Sequence, residues 1–224
     1  MTSIVFDTSS IISIVSNNLT SVLEPLKKEF KGEFYIPASV KYELVDKPMT
    51  IKRFKLEAMM IKKIIDNNLL KTYHSIEVDN LLHLMNNIYS VRNKGIHILD
   101  RAEVEALALV SEIHAEAYVV DERTMRLVIE DPIKLHNLLE RKLQTKIDID
   151  IAKVKQLSKM FKGVKVIRST ELMLVALEKG LLKDYFDGNS KKEFVDALLW
   201  GLRLRGSAIS TEEIEDLIKL ESKP

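Results

Sequence analysis

The sequence predicts an α/β fold in which a small parallel β-sheet is flanked by helices. Short apolar runs alternate along the chain with longer stretches whose apolar residues recur at helical spacing. Strands that are separated by helical segments pair in parallel through right-handed crossovers. The chain has 224 residues, of which 46% are hydrophobic, so it is long enough to enclose a substantial core.

Each predicted strand is a short apolar run that ends at a turn-forming or acidic residue. The first run, residues 4–6, ends at Asp7 and is followed by hydroxyl residues that favour a helix start. Another run, residues 117–120, ends at Asp121. The remaining predicted strands cover residues 33–36, 70–73 and 164–167.

Apolar periodicity and capping residues define the predicted helices. Gly32 ends the first helix, Pro48 lies in the break after the second, and Ser210 with Glu213 forms a capping box for the last. The predicted helices cover residues 11–30, 38–45, 51–67, 78–92, 101–114, 124–129, 133–161, 170–179, 191–205 and 211–220.

We expect one domain over residues 1–224, with a helical insertion at about 132–163 and a helical C-terminal tail at about 187–221. The charge density of the insertion indicates a protruding hairpin or a surface for a protein partner. Trp200 and its neighbouring leucines are expected to pack the tail onto the body or into the second subunit of a homodimer.

Composition excludes several classes of function. The absence of cysteine excludes disulfide frameworks, cysteine nucleophiles and thiolate zinc sites. The net charge is +1, so contact with nucleic acid would require a local basic patch. No apolar run reaches the roughly 20 residues that cross a bilayer, and the first ten residues lack a basic signal region. We expect a cytoplasmic protein that does not contact a membrane.

Acidic residues follow or face the predicted strand ends. These are Asp7, Glu43, Glu103 and Asp121, with Glu122 beside the last. The carboxyl ends of parallel strands lie along one edge of a sheet, so these side chains could converge there. Close carboxylates raise one another's pKa, and a divalent cation such as Mg²⁺ or Mn²⁺ relieves that repulsion.

Each acid also has a structural explanation. Asp7 could cap the following turn, and a carboxylate at Glu103 is favoured by the dipole of a helix N-terminus. Glu43 could simply be solvated, and Asp121 could begin the cap of the helix at 124–129. Glu105 points elsewhere on its helix, so we expect it at the surface. We prefer one shared site because acid clusters mark function.

Three stretches resemble the successive motifs of the PIN-domain nucleases: VFDTSSII, YIPASVKYEL and DRAEVEALALVSEIHAEAYVVDERTMR. The similarity covers about residues 1–126 in order. VKVIRSTELMLVALEKGLL then resembles the fifth strand and following helix of PIN proteins outside the short toxin format. The resemblance implies a metal-dependent ribonuclease of compact α/β fold, and many such proteins are toxins of toxin–antitoxin pairs. The insertion and the tail depart from the toxin format.

The resemblance also implies roles for individual residues. Asp7, Glu43, Glu103 and Asp121 would be the four acids that bind metal and act in catalysis, with Glu122 as a further metal ligand or a substitute for Asp121. Ser9 matches the small hydroxyl residue that supports the first acid.

Two groups of basic residues could contact RNA phosphates. Arg123 and Arg126 directly follow the fourth acid and are the better placed. A second group follows the second acid and is equally well explained as a solvated face. Its members are Lys52, Arg53, Lys55, Lys62, Lys63 and Lys71. No interleaved aromatic residues indicate base stacking.

The sequence therefore supports one leading hypothesis and two others. The first is a Mg²⁺- or Mn²⁺-dependent endoribonuclease, a hydrolase that cuts RNA phosphodiesters through the four acids. The second is a PIN-like module that binds RNA or protein without cutting. The third, a haloacid-dehalogenase-type phosphatase, ranks well below because Ser9 stands where that family has a second aspartate.

Overall fold

The computed structural model describes residues 2–74, 76–185 and 190–221. In chain order its strands are β1 (Ser3–Phe6), β2 (Glu33–Pro37), β3 (Lys71–Tyr73), β4 (Tyr89–Val91), β5 (Lys94–Gly95), β6 (Ala117–Val119), β7 (Asp148–Ile149) and β8 (Lys165–Ile167). Within the described ranges, one sheet contains five parallel strands in the order β3-β2-β1-β6-β8. The predicted α/β fold with a parallel sheet flanked by helices is confirmed.

The helices lie between and around these strands. They are α1 (Thr8–Ser16), α2 (Leu23–Phe30), α3 (Ala38–Lys41), α4 (Lys55–Asp66), α5 (Asp79–Asn86), α6 (Arg101–Glu112), α7 (Arg123–Glu130), α8 (Pro132–Leu143), α9 (Ile151–Met160), α10 (Ser169–Glu178), α11 (Lys191–Leu204) and α12 (Thr211–Glu221). A π-helical turn, Tyr42–Asp46, continues α3, and short 3₁₀ turns cover Thr20–Val22, Pro48–Thr50 and Lys183–Tyr185.

Strand β1 lies at the centre of the sheet and is buried along its whole length. Ile4 pairs with Phe34 of β2 on one side and with Ala117 of β6 on the other. The Phe6 and Phe34 rings pack edge to face with their centroids 5.2 Å apart. Because parallel strands with helices on both faces are buried on both faces, β1 is a continuous apolar run that stops at Asp7.

The segment between α7 and β8 contains α8, β7 and α9, and its helices contact α7 and α5. Strand β7 pairs antiparallel with β4, and β4 pairs antiparallel with β5 to form a second sheet. The Tyr89 hydroxyl of β4 donates to the Pro132 carbonyl oxygen at the start of α8, at 2.9 Å. Gln144, with a left-handed φ of 50°, ends α8, so the predicted helix at 133–161 is two helices joined through a short strand.

Two other predicted helices are interrupted. The helix predicted at 11–30 breaks after α1, where Asn18 adopts a left-handed φ of 58°. The helix predicted at 78–92 ends with α5, and Tyr89–Val91 forms β4 instead. The turn from β4 to β5 uses Arg92 and Asn93, both with positive φ, as a two-residue hairpin turn requires.

Buried Arg168, just before α10, joins the C-terminal helices to the body. Its Nε donates to Glu171 Oε1 at 2.7 Å, and its Nη1 donates to Glu213 Oε1 at 3.0 Å and to the Ala208 carbonyl oxygen at 3.2 Å. Glu213 belongs to α12, so this guanidinium fixes α12 against α10.

The predicted tail begins at 187, and residues 187–189 lie outside the described residues.

Within the described part of the chain, every helix is too short or too polar to cross a membrane.

Candidate active site

Asp7 is buried at the carboxyl end of the central strand, where it caps α1. Its Oδ2 accepts from the backbone N of Ser9 at 3.0 Å and from the Ser9 hydroxyl at 2.6 Å. Its Oδ1 is buried without a hydrogen-bond partner. Burial raises the pKa of Asp7 to about 6, the negative charge of Glu43 adds to the rise, and the bonds from Ser9 oppose it. Half of this carboxylate is therefore held in place while the other half is free to bind a ligand.

Glu43 lies in the π-helical turn that follows β2 and α3 and reaches the residues after Asp7. The Thr8 hydroxyl donates to Glu43 Oε2 at 2.6 Å. Thr8 and Ser9 are thus adjacent hydroxyl residues that orient two different acids. The role of Thr8 was not predicted, although a second hydroxyl directly after Asp7 is a signal that the sequence contains.

Glu103 lies in the first turn of α6, and its Oε2 accepts from the backbone N of Asp100 at 2.7 Å. This is half of the capping box that starts α6. The pKa of Glu103 is raised to about 8, chiefly by burial; the charges of Asp7 and Glu122 contribute to the rise, and the bond from Asp100 opposes it. Glu103 therefore interacts electrostatically with one acid after β1 and with one after β6.

Tyr118 lies beneath this group in β6 and is fully buried. Its hydroxyl donates to the backbone carbonyl oxygen of Glu103 at 3.4 Å. Burial raises the pKa of Tyr118 well above its ordinary value, and the charges of Asp7, Glu103 and Glu122 act in the same direction. The sequence analysis did not single out Tyr118, since a tyrosine in an apolar strand carries no functional signal by itself.

Asp121 and Glu122 have different environments although they are adjacent. Asp121 is fully buried, and both of its oxygens accept hydrogen bonds. Oδ1 accepts from the backbone N of Ser169 at 2.8 Å and from the Ser207 hydroxyl at 3.1 Å, and Oδ2 accepts from the Ser169 hydroxyl at 2.6 Å. Asp121 therefore joins β6 to α10 and to the segment before α12.

Glu122 is only partly buried and caps α7 through Oε2, which accepts from the backbone N of Met125 at 2.7 Å. Its charge acts on both Glu103 and Tyr118. The charge of Asp7 acts on the same two residues, so Glu122 and Asp7 share these electrostatic partners.

Ser9 links two strand ends. Its hydroxyl donates to Asp7 Oδ2 and accepts from the backbone N of Asp121 at 3.0 Å.

The two arginines that were predicted to contact RNA phosphates have different environments. Arg123 is exposed, whereas Arg126 pairs with Glu130 at 3.2 Å and has a buried Nε without a hydrogen-bond partner.

Glu105 is not at the surface, so the interpretation from the sequence is wrong. It is 2% exposed, its Oε1 accepts from Nε of Arg101 at 3.0 Å, and its Oε2 is buried without a partner. The long Arg101 side chain reaches Glu105 one helical turn away, which allows an acid to face the interior.

The acids have the chemistry of a site for a hard divalent cation, but their side chains are not arranged around one. Within residues 2–74, 76–185 and 190–221, no three His, Cys, Asp or Glu side chains are positioned to hold a metal ion together. Asp7, Glu43, Glu103 and Glu122 each use one oxygen in a hydrogen bond within the chain. The donor set is nevertheless compatible with such a cation, because Oδ1 of Asp7 is a buried oxygen without a hydrogen-bond partner.

The fold is α/β, and Asp7, Glu43 and Glu122 lie after the carboxyl ends of the parallel strands β1, β2 and β6. A family model described as a PIN domain matches residues 3–132, which is more than half of the chain. The chain therefore belongs to the PIN-domain family. PIN-domain proteins are in general nucleases, which are hydrolases, and they typically use divalent metal ions. RNA is their general substrate or partner. A comparison with curated proteins and one with solved structures give no match.

We predict that Asp121→Ala lowers the free energy of unfolding by about 2 kcal/mol, because it leaves buried serine donors without an acceptor. Asp121→Asn retains one acceptor oxygen and should cost less. Glu122→Gln retains the capping oxygen of α7 and should leave stability unchanged. Urea denaturation of the three variants tests this order, and an Asp121→Ala protein as stable as the wild type would contradict it.

Proposed function

We propose that the chain is a divalent-metal-dependent endoribonuclease whose acidic site consists of Asp7, Glu43, Glu103 and Glu122. The observation that carries this proposal is the environment of Asp7. Its carboxylate is buried at the end of the central strand, has one unpartnered oxygen, and interacts electrostatically with acids from two other segments. Such an arrangement destabilises the ionised protein unless a cation balances it, and acids with strongly raised pKa values concentrate at functional sites.

The chain's own residues would orient the four acids. Ser9 fixes Asp7, and Thr8 fixes Glu43. The backbone N of Asp100 fixes Glu103, and the backbone N of Met125 fixes Glu122. A divalent cation, when bound, supplies the positive charge that activates water and stabilises the developing charge of a phosphodiester. We assign Asp7 Oδ1 and the free oxygens of the three glutamates as the groups that would hold it.

We place Glu122 rather than Asp121 in the fourth position of the proposed site. The support is that both Asp121 oxygens are occupied by serine donors, whereas Glu122 has one oxygen outside its capping bond. We keep Arg123 as the proposed contact to an RNA phosphate, because its side chain is exposed beside Glu122. Arg126 is engaged with Glu130, so it is the weaker of the two candidates.

The test is cleavage of an end-labelled single-stranded RNA by the full chain in the presence of Mn²⁺, Mg²⁺ or EDTA. We expect cleavage with either ion and none with EDTA, and we expect addition of excess Mn²⁺ to restore it. Glu122→Gln should lose activity, whereas Asp121→Asn should retain most of it. Equal cleavage in EDTA would contradict the metal dependence. Loss of activity in Asp121→Asn alone would contradict the assignment of the fourth acid.

The alternative is a PIN-like module that binds RNA or a protein without cutting. The observation that favours it is the absence, among the described residues, of three acids positioned to share a metal ion. A gel shift of intact RNA, together with no stabilisation of the protein by Mn²⁺, would support it. Four expectations from the sequence stay predictions: a single domain over residues 1–224, a protein partner at the insertion, a homodimer and a cytoplasmic location.

A further inference from the structure

A cavity of about 570 Å³ opens next to Glu43. It lies between α1, the π-helical turn, α4 and Arg205 at the end of α11. Val15, Ala58 and Ile61 are buried apolar residues that line it. Its volume lies within the range of about 300 to 1,000 Å³ that is usual for small-molecule and cofactor sites. Because Glu43 belongs both to the cavity and to the acidic cluster, a group bound there would lie beside the acids.

Three exposed cations line this cavity: Lys47, Arg53 and Arg205. None of the ion pairs found within the described ranges involves any of them. Other basic residues of the same region are neutralised, since Lys62 pairs with Asp66 at 2.5 Å and Lys71 pairs with Glu33 at 3.0 Å. The basic group seen in the sequence is thus divided, and only Arg53 of its members lines the cavity.

The cavity also presents an aromatic ring. Phe54 is 45% exposed, and the guanidinium of Arg53 lies 5.4 Å from the centroid of its ring. An exposed ring with a neighbouring arginine is a surface on which a nucleobase stacks, because every base has a π-face that tolerates such contact. The sequence analysis looked for several interleaved aromatic residues and therefore did not recognise this single ring.

We propose that this cavity is a nucleotide-binding subsite for single-stranded RNA. The base next to the cleaved phosphodiester stacks on Phe54 above the apolar floor, and the flanking phosphates lie against Lys47, Arg53 and Arg205. The proposal rests on the proposed nuclease function and adds a positioning surface to it. Glu57 also lines the cavity, so the three cations exceed the two lining acids by one charge.

Arg205 extends this subsite beyond the segment of the chain that the family model matches. Arg205 lies outside residues 3–132, which match the PIN-domain family model. Helix α11 lies so close to the end of α1 that a side chain at Gly201 would collide with it, since a Cβ atom there would lie only 2.8 Å from Asn17 Oδ1. The C-terminal tail thereby contributes a cation to a surface that otherwise consists of α1, the π-helical turn and α4.

The test measures binding rather than cleavage, with a fluorescent single-stranded RNA and full-length Asp7→Asn protein in EDTA. In this Asp7→Asn protein, the two further substitutions Arg53→Gln and Arg205→Gln together should weaken RNA binding about tenfold. They should also reduce the slope of log Kd against log salt by about 1.4, which corresponds to two lost phosphate contacts on a single strand. Adding Phe54→Ala should also weaken binding about tenfold but leave the slope unchanged. Lys155→Gln, an exposed lysine of α9 outside the cavity, is the matched control and should change Kd by less than about twofold.

Each outcome has a defined meaning. Wild-type affinity in the cavity variants, or no RNA binding by the parent protein, overturns the subsite. Unchanged RNA binding together with a changed oligomeric mass in light scattering also overturns it and identifies the face as a protein interface. Binding that depends on the cavity in a wild-type chain that does not cut RNA supports the subsite and contradicts the nuclease proposal.

Discussion

Asp7→Asn is expected to lower kcat/KM for RNA cleavage by about 1,000-fold, because charge stabilisation by a bound cation contributes several kcal/mol and each 1.4 kcal/mol changes a rate tenfold. Asparagine keeps the size of the side chain and one oxygen that can accept the bonds from Ser9, so the local structure should persist. The loss would therefore reflect the missing negative charge. The measurement is the initial rate of cleavage with saturating Mn²⁺.

The same substitution should stabilise the protein in the absence of metal. Burial raises the pKa of Asp7 from 3.8 to about 6, so above pH 6 the native state contains an ionised carboxylate that the unfolded state solvates better. That difference corresponds to about 3 kcal/mol at 1.36 kcal/mol per pKa unit. Asp148→Asn, which removes an exposed carboxylate from the second sheet, is the control and should change neither activity nor stability. An active Asp7→Asn protein would rule out Asp7 as an essential acid.

The opposite effects on activity and stability distinguish a functional acid from a structural one. Asp121 contributes to stability because its charge is matched by three donors. Asp7 reduces stability at neutral pH because its ionised carboxylate is buried, with one oxygen that has no hydrogen-bond partner. Residues that destabilise a fold in the absence of a ligand are retained for what they bind, which is why stability measurements complement the cleavage assay.

The main sheet could be predicted because its strands are apolar runs with clear ends. The runs before Asp7 and Asp121 are short, buried and parallel, as their composition indicates. The hairpin of β4 and β5 could not be predicted, because Arg92 and Asn93 adopt the left-handed conformation without a glycine in the turn. The apolar periodicity of α5 therefore predicted a helix that continues to residue 92.

The elements that carry the candidate acids could be predicted from the sequence, but the environment of each acid could not, and the site itself stays a prediction. Asp7 follows the end of a strand, and Glu43 and Glu103 lie in helical turns, and the sequence makes each of these elements visible. The choice between Asp121 and Glu122 depends on serines that lie 48 and 86 residues further along the chain. Local patterns contain no information about such distant partners. Glu105 was misplaced for a related reason, since its burial depends on how Arg101 covers it.

The stability of the metal-free protein should fall as the pH rises from about 4.5 to about 8, and Glu103→Gln should remove much of that fall. Burial raises the pKa of Glu103 from 4.5 to about 8, so the native state binds this proton more tightly than the unfolded state does. Stability from a raised carboxyl pKa is fully present below the unfolded value and is lost as the pH passes through the folded one. The full shift corresponds to about 5 kcal/mol, and partial exposure of Glu103 reduces the expected loss to about 3 kcal/mol.

Urea denaturation in EDTA across this pH range measures the effect as the difference between Glu103→Gln and the wild type. The difference should be near zero at the acid end and reach about 3 kcal/mol at the alkaline end. Gln retains the capping oxygen that accepts from Asp100, and Glu112→Gln on the exposed face of α6 is the matched control with a flat difference. At pH 8, Mn²⁺ at 100 times its Kd should restore about 2.7 kcal/mol to the wild type and much less to Glu103→Gln. Parallel pH curves for the two proteins would show that the charge of Glu103 does not oppose folding, and an equal response to Mn²⁺ would exclude Glu103 from the metal site.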